Sequence, residues 1–81
     1  MTTSERDAAI EELEARIRQL SPQARIRTEK KGAEEAIVHV SAPQRDKEAI
    51  EDVVRPLCLR FLRQGLDIQV LINEETRSIG S

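Results

Sequence analysis

The feature that most constrains the fold is a helix-like segment that ends at a glycine and is followed at once by a strand-like segment. Residues 42–65 read APQRDKEAIEDVVRPLCLRFLRQG, in which apolar residues recur at spacings of three and four, as in an amphipathic helix. Gly65 suits the position just beyond a helix end. Residues 66–72 read LDIQVLI, and the alternation of apolar positions predicts a half-buried strand. We expect the rest of the chain to cover this helix and to pair with this strand.

Capping residues and one proline define this helix. Ser41 and Gln44 have capping-box spacing, and Pro43 suits the first turn. Pro56 removes one backbone hydrogen bond at a cost of about 3 kcal/mol, so it either bends one helix or separates two. The expected apolar face consists of Ile50, Val53, Val54, Leu57, Phe61 and Leu62, with Cys58 beside it.

An earlier segment predicts a second amphipathic helix over residues 5–20. Ser4 stands three residues before Asp7 and is the expected N-cap. Pro22 disfavours helical angles at Ser21, which ends the helix. Apolar residues at spacings of three and four give the face that is expected to be buried: Ile10, Leu13, Ile17 and Leu20.

A β-hairpin is predicted between the two helices. Residues 24–29 alternate in polarity, and residues 35–41 are rich in β-branched side chains. The connection, residues 30–33, contains Gly32, which is free to adopt a positive φ. Two strands with a short glycine-containing connection predict a hairpin.

The order α-β-β-α-β predicts an α+β fold: a two-layer sandwich in which both helices lie on one face of a three-stranded, mostly antiparallel sheet. A right-handed crossover makes the second and third strands parallel in direction. We prefer the strand order 2-1-3, which is fully antiparallel, over a mixed sheet with the second strand in the centre.

The size and charge of the chain limit its function. The 81 residues indicate one small domain, 1–81, in which residues 1–3 and 74–81 are expected to be flexible. The net charge of −2 provides no general attraction to nucleic acid or to acidic lipid. No apolar run has the length of a membrane span, so we expect a soluble, cytoplasmic protein.

Alternation along the strands predicts which side chains stand on the sheet face that the helices leave bare. The interface candidates on this face are Arg25, Arg27, Ile37, His39 and Leu71. Ile37 and Leu71 are large apolar side chains among polar ones, and they predict a modest protein contact, with self-association through the open face or a sheet edge as its first form. Leu59, roughly opposite Ile50 around the helix, is a further contact candidate.

No pattern predicts an enzyme, a cofactor site or a metal site. His39 is the only histidine and Cys58 the only cysteine, and metal sites normally need three or four protein ligands. His39 is expected to be an ordinary strand residue and Cys58 a small apolar group. The three glycines match no phosphate-binding loop.

Weak binding of RNA or DNA is the alternative function. Its candidate residues are Lys30 and Lys31 in the hairpin and Arg55, Arg60 and Arg63 in the second helix. The element order is loosely similar to that of KH-type RNA-binding domains. That family clamps the nucleic-acid backbone with a Gly-x-x-Gly loop between two helices. The corresponding place here is Arg55-Pro56-Leu57, so the chain is not assigned to that family.

Overall fold

The computed structural model describes residues 4–74, with the backbone alone at Glu74. The elements follow in the order α1 (Glu5–Leu20), β1 (Arg25–Lys30), β2 (Glu35–Ala42), α2 (Gln44–Arg63) and β3 (Asp67–Glu74). The predicted α+β class and the order α-β-β-α-β are therefore confirmed. Glu74, expected in a flexible tail, belongs to β3, while the expected flexibility of residues 1–3 and 75–81 falls outside the described residues.

The sheet is mixed, and its strand order is β1-β2-β3. β1 pairs with β2 antiparallel, and β2 pairs with β3 in parallel. The preferred order 2-1-3 is therefore wrong. The inward-facing side chains of β2 explain why it lies in the centre: Ala36, Val38, Val40 and Ala42 are almost completely buried. β1, which reads RIRTEK, carries charges that suit an edge strand.

The ends of α1 agree with the sequence analysis, but the start of α2 does not. The Ser4 hydroxyl accepts a hydrogen bond from the Asp7 amide at 3.1 Å and caps α1. The expected capping role of Ser41 is wrong, because β2 continues through Ser41 to Ala42 and Pro43 becomes the N-cap of α2 without a side-chain hydrogen bond.

α2 is one continuous helix that contains Pro56, so the proline does not separate two helices. The helix ends as predicted: Gly65 follows the C-cap with a φ of 87°, in the region that favours glycine. Gly65 is the only described glycine with a positive φ, so Gly32 does not use its freedom to adopt one.

One buried cluster joins both helices to the sheet. Half-buried side chains, among them Ile26, Val70 and Ile72, pack against this cluster. Two side chains predicted to be buried are exposed instead, because Leu20 lies at the end of α1 and Leu62 is turned about 100° around α2 from the buried Phe61. The two-layer arrangement, with both helices on one face, stays a prediction. The members of the cluster are Ala9, Ile10, Leu13, Ile17, Ala36, Val38, Val40, Ala42, Ile50, Val54, Leu57, Phe61, Leu66 and Ile68.

Candidate interaction surfaces

The strand register brings the predicted interface residues together. Seven of the strand side chains that alternate with the buried ones form what we call the outer set: Arg25, Arg27, Glu29, Ile37, His39, Gln69 and Leu71. Arg27 lies opposite His39, which lies opposite Leu71 on β3. In the adjacent row, Ile37 lies between Glu29 and Gln69. Arg25 pairs with Ser41 nearer the end of the sheet. All five candidates thus lie within three neighbouring cross-strand rows.

Glu29 is the centre of a charge cluster in the outer set. Its Oε1 atom lies 3.5 Å from Arg27 Nη2, and its Oε2 atom lies 3.1 Å from Lys31 Nζ. The hydrogen bond from Lys31, assisted by the lysine charge, lowers the pKa of the Glu29 carboxyl below its usual value. The carboxylate is therefore held in its charged form beside the cations. Glu29 was not among the interface candidates predicted from the sequence, although its alternation with Arg27 places it on the same face.

His39 is half-buried next to this cluster. Its Nε2 atom is shielded from solvent and makes no hydrogen bond of good geometry among residues 4–74. Glu29 Oε1 nevertheless lies 3.2 Å from that nitrogen. Glu29 therefore interacts with His39 through charge, and only when the imidazole is protonated. One carboxylate near His39 is fewer ligands than a metal site normally needs. The expectation that His39 is an ordinary strand residue stays a prediction.

The apolar part of the outer set is small and lies on two neighbouring strands. Ile37 and Leu71 are diagonal neighbours, because Ile37 pairs with Gln69 and His39 with Leu71. Ile37 is half-buried and Leu71 is 47% exposed. Ile37 and Leu71 are thus apolar neighbours beside the Glu29 charge cluster, and apolar residues with charged ones at their rim are the usual composition of a small protein interface.

β3 forms the second candidate surface, because it pairs only with β2 among the described residues. Its eight residues stay in regular register with β2 from Asp67 to Glu74. Between these two acids, residues 68–73 read IQVLIN, without a charge or a proline. Natural edge strands are usually protected by charges, prolines or bulges. This edge lacks those protections along residues 68–73.

A stripe of side chains on α2 lies beside the free edge of β3, and the stripe and the edge together border a groove. The stripe consists of side chains three or four residues apart: Lys47, Glu51, Arg55, Leu59 and Leu62. Leu59 and Leu62 border the start of β3 in a mainly apolar groove of about 370 Å³, together with Cys58, Leu66 and Ile68. The charged half of the stripe borders residues 70–73 of β3. This surface was not predicted from the sequence, because Leu62 was expected to belong to the buried face of α2.

Both leucines of the stripe are strongly exposed. Leu59 and Leu62 are each 60% exposed, more than any other large apolar side chain described. Arg55 borders both halves of the groove and is itself 72% exposed. Its ion pair with Glu51 is long, at 3.7 Å. The groove therefore combines an apolar end, at whose edge Asp67 lies, with Arg55 near its middle. Lys47 and Glu51, of opposite charge, lie beyond Arg55.

The predicted nucleic-acid residues do not gather on one surface. Lys30 contacts Asp7 at 3.1 Å, and Lys31 contacts Glu29. Arg55 pairs with Glu51, while Arg60 pairs with Glu12 of α1 and stacks on Phe61 at 5.3 Å. Arg63 lies in the last turn of α2. Three of the five cations thus hold a carboxylate closely, which opposes phosphate binding, whereas Arg55 holds Glu51 only at 3.7 Å. The nucleic-acid function stays a prediction.

Metal-binding and thiol chemistry receive no geometric support in the described part of the chain. Within residues 4–74, no group of three His, Cys, Asp or Glu side chains is arranged to hold a metal ion. Cys58 borders the groove and His39 belongs to the outer set, so these side chains lie on different surfaces. Burial raises the pKa of the Cys58 thiol and keeps it protonated.

None of the described helices is both long and apolar enough to cross a membrane.

Comparison with protein-family models, with curated proteins and with solved structures finds no match to this chain.

Proposed function

We propose that this domain is a non-enzymatic, cytoplasmic protein-interaction module that associates with itself through the outer set. The observation that carries the proposal is the diagonal pair Ile37 and Leu71, which lies on adjacent strands beside the Glu29 charge cluster. An apolar contact with a charged rim is the usual anatomy of a protein interface. The single free thiol suits a reducing compartment.

The size of the sheet limits how tight this association is. Three strands about 4.8 Å apart, of six to eight residues at about 3.3 Å each, form a face of about 14 Å by 20–26 Å. That is roughly 300–360 Å² per copy, less than the roughly 800 Å² per partner of a standard protein interface. We therefore expect a weak, reversible dimer that is populated only at high protein concentration.

The charge cluster also supports a two-fold arrangement. Arg27 and Glu29 stand next to each other in the outer set, with opposite charges. In an interface with two-fold symmetry, the same patch meets itself, so Arg27 of one copy meets the Glu29 carboxylate of the other. Such rim pairs contribute to specificity more than to affinity.

The test is the molar mass in solution by light scattering, over a range of protein concentrations at low and high salt. We expect a reversible dimer for the natural chain and at least tenfold weaker dimerisation for Leu71→Ser. Leu20→Ser is the matched control, because Leu20 is similarly exposed, at 40%, but lies at the end of α1. Self-association is disproved if the natural chain stays monomeric at millimolar concentration, and the outer set is the wrong surface if both variants dimerise equally.

A further inference from the structure

We propose that the groove between the β3 edge and α2 binds an extended segment of another protein as a fourth strand. The segment carries alternating apolar side chains at one end and an acidic side chain near its middle. This inference rests on the proposed function, since it gives the same interaction module a second partner. Strand addition of this kind uses backbone hydrogen bonds for affinity and adjacent side-chain pockets for specificity.

The backbone of β3 supplies the first requirement. One side of β3 bonds to β2 in a regular parallel register over eight residues. The other side is unpaired among residues 4–74 and lacks charged or proline protection from Ile68 to Asn73. An added strand forms hydrogen bonds with those backbone groups. It removes no charged side chain of residues 68–73 from water, because this stretch has none.

The stripe on α2 supplies the side-chain pocket. Every second side chain of an added strand points to the α2 side of the sheet. At the start of β3, those side chains meet Leu59 and Leu62, each 60% exposed. Apolar residues of the segment remove this leucine surface from water, which is the favourable term in such binding.

The positive charge of Arg55 determines which side chain of the bound segment fits near the middle of the groove. Arg55 borders both halves, is 72% exposed, and holds Glu51 only at 3.7 Å. It is therefore accessible to a second carboxylate. An acidic side chain in the middle of the segment meets Arg55, while its apolar end lies against Leu59 and Leu62.

The position of α2 disfavours a second folded copy as the occupant. A β3–β3′ ladder places the two strands about 4.8 Å apart, whereas two packed helices need about 8–10 Å between their axes. Because α2 borders β3 at both ends of the strand, such a ladder would bring the two α2 helices close to each other. A segment that brings no helix avoids this conflict.

The test is selection of eight-residue peptides from a random phage-displayed library on the full chain. The enriched peptides should alternate apolar residues at one end and carry a central Asp or Glu. A synthetic copy of the best peptide should bind at least tenfold more weakly to the double variant Leu59→Ser, Leu62→Ser. Binding to Leu20→Ser should be unchanged, and methylation of alternate backbone nitrogens of the peptide should abolish binding.

Amide shifts in the NMR spectrum of the labelled protein locate the bound peptide. We expect shifts along residues 68–73 and none along residues 25–30 of β1. The strand-addition inference is overturned if no peptide is enriched. It is also overturned if the selected peptide binds the Leu59→Ser, Leu62→Ser variant as tightly as the natural chain. Shifts confined to Ile37, His39 and Leu71 overturn it as well, but leave a protein-interaction module in place. The light-scattering result for Leu71→Ser decides the proposed self-association separately, because that experiment contains no peptide.

Discussion

β1 and β3 are the two outer strands of one sheet, yet they differ in charge and in what lies beside them. β1 reads RIRTEK and has α1 side chains alongside, since Thr28 donates a hydrogen bond to Glu14 and Lys30 pairs with Asp7. β3 has six uncharged residues in succession and lies beside the exposed leucines of α2. An added strand next to β1 must desolvate charges, whereas one next to β3 meets apolar surface. This difference is why we infer that β3, rather than β1, is the edge that binds a partner segment.

The largest difference between the two strands should be their contribution to stability. Ile68 of β3 is 6% exposed and belongs to the buried cluster, whereas Ile26 of β1 is only half-buried. Ile68→Ala should lower the free energy of unfolding by about 2–4 kcal/mol, and Ile26→Ala by about 1–2 kcal/mol. Urea unfolding followed by circular dichroism measures both. Equal losses would mean that β1 is anchored in the core as firmly as β3, which would weaken the contrast between the edges.

Local features of the sequence were sufficient to predict the helices and strands. Ser4 and Pro22 mark the ends of α1, and Gly65 follows α2, because each has a direct backbone effect. The alternation in β3 correctly separated the buried Ile68 from the exposed Leu71. These features act over a few residues, so one sequence contains them completely.

The strand order and the groove depend on packing between distant segments. A hairpin followed by a crossover helix is compatible with either β1 or β2 in the centre. In the structure β2 is central, and its inward-facing side chains are almost completely buried. Leu62 belongs to an apolar run in the sequence, but the buried face of α2 is narrower than that run. The outer set was predicted because strand alternation determines it directly, whereas the groove needed the actual position of α2 against β3.

A smaller effect is expected when the charges of the two edge strands are changed. It concerns the lag before aggregation rather than the stability of the fold. Gln69→Lys places a charge on the β3 edge, while Arg27→Gln removes one from β1. Both side chains are exposed, so stability should change by no more than about 0.5 kcal/mol. Because charged residues on edge strands oppose pairing between chains, Gln69→Lys should lengthen the lag before aggregation at elevated temperature severalfold.

Arg27→Gln should shorten that lag only slightly, because β3 remains the more exposed route to pairing. An amyloid-binding dye and static light scattering, recorded together, measure the lag. If Arg27→Gln had the larger effect, aggregation would proceed through β1. The assignment of β3 as the open edge would then be wrong.

Lowering the pH should produce the smallest effect, and it should destabilise only the β1 edge of the sheet. Hydrogen bonds from Lys30 and, to a smaller extent, Arg6 lower the pKa of Asp7, and Lys31 lowers the pKa of Glu29. A carboxylate whose pKa is lower in the folded protein stabilises the fold above its unfolded value, and this contribution disappears as the pH falls through the folded value. The ordinary values are 3.8 for Asp7 and 4.5 for Glu29. The loss should therefore begin below about pH 4.5.

The ratio of amide-exchange protection between β1 and β3 measures this loss, because both strands are followed in the same sample and the intrinsic effect of pH divides out. We expect β1 to lose protection relative to β3 as the pH falls from about 5 to about 3. The double variant Asp7→Asn, Glu29→Gln should make the ratio independent of pH, whereas Glu48→Gln, on the exposed surface of α2, should not. Because exposed ion pairs contribute little individually, the change should stay small. A parallel loss in β3 would mean that acid opens the whole sheet, and that the ion pairs beside β1 do not stabilise that edge separately.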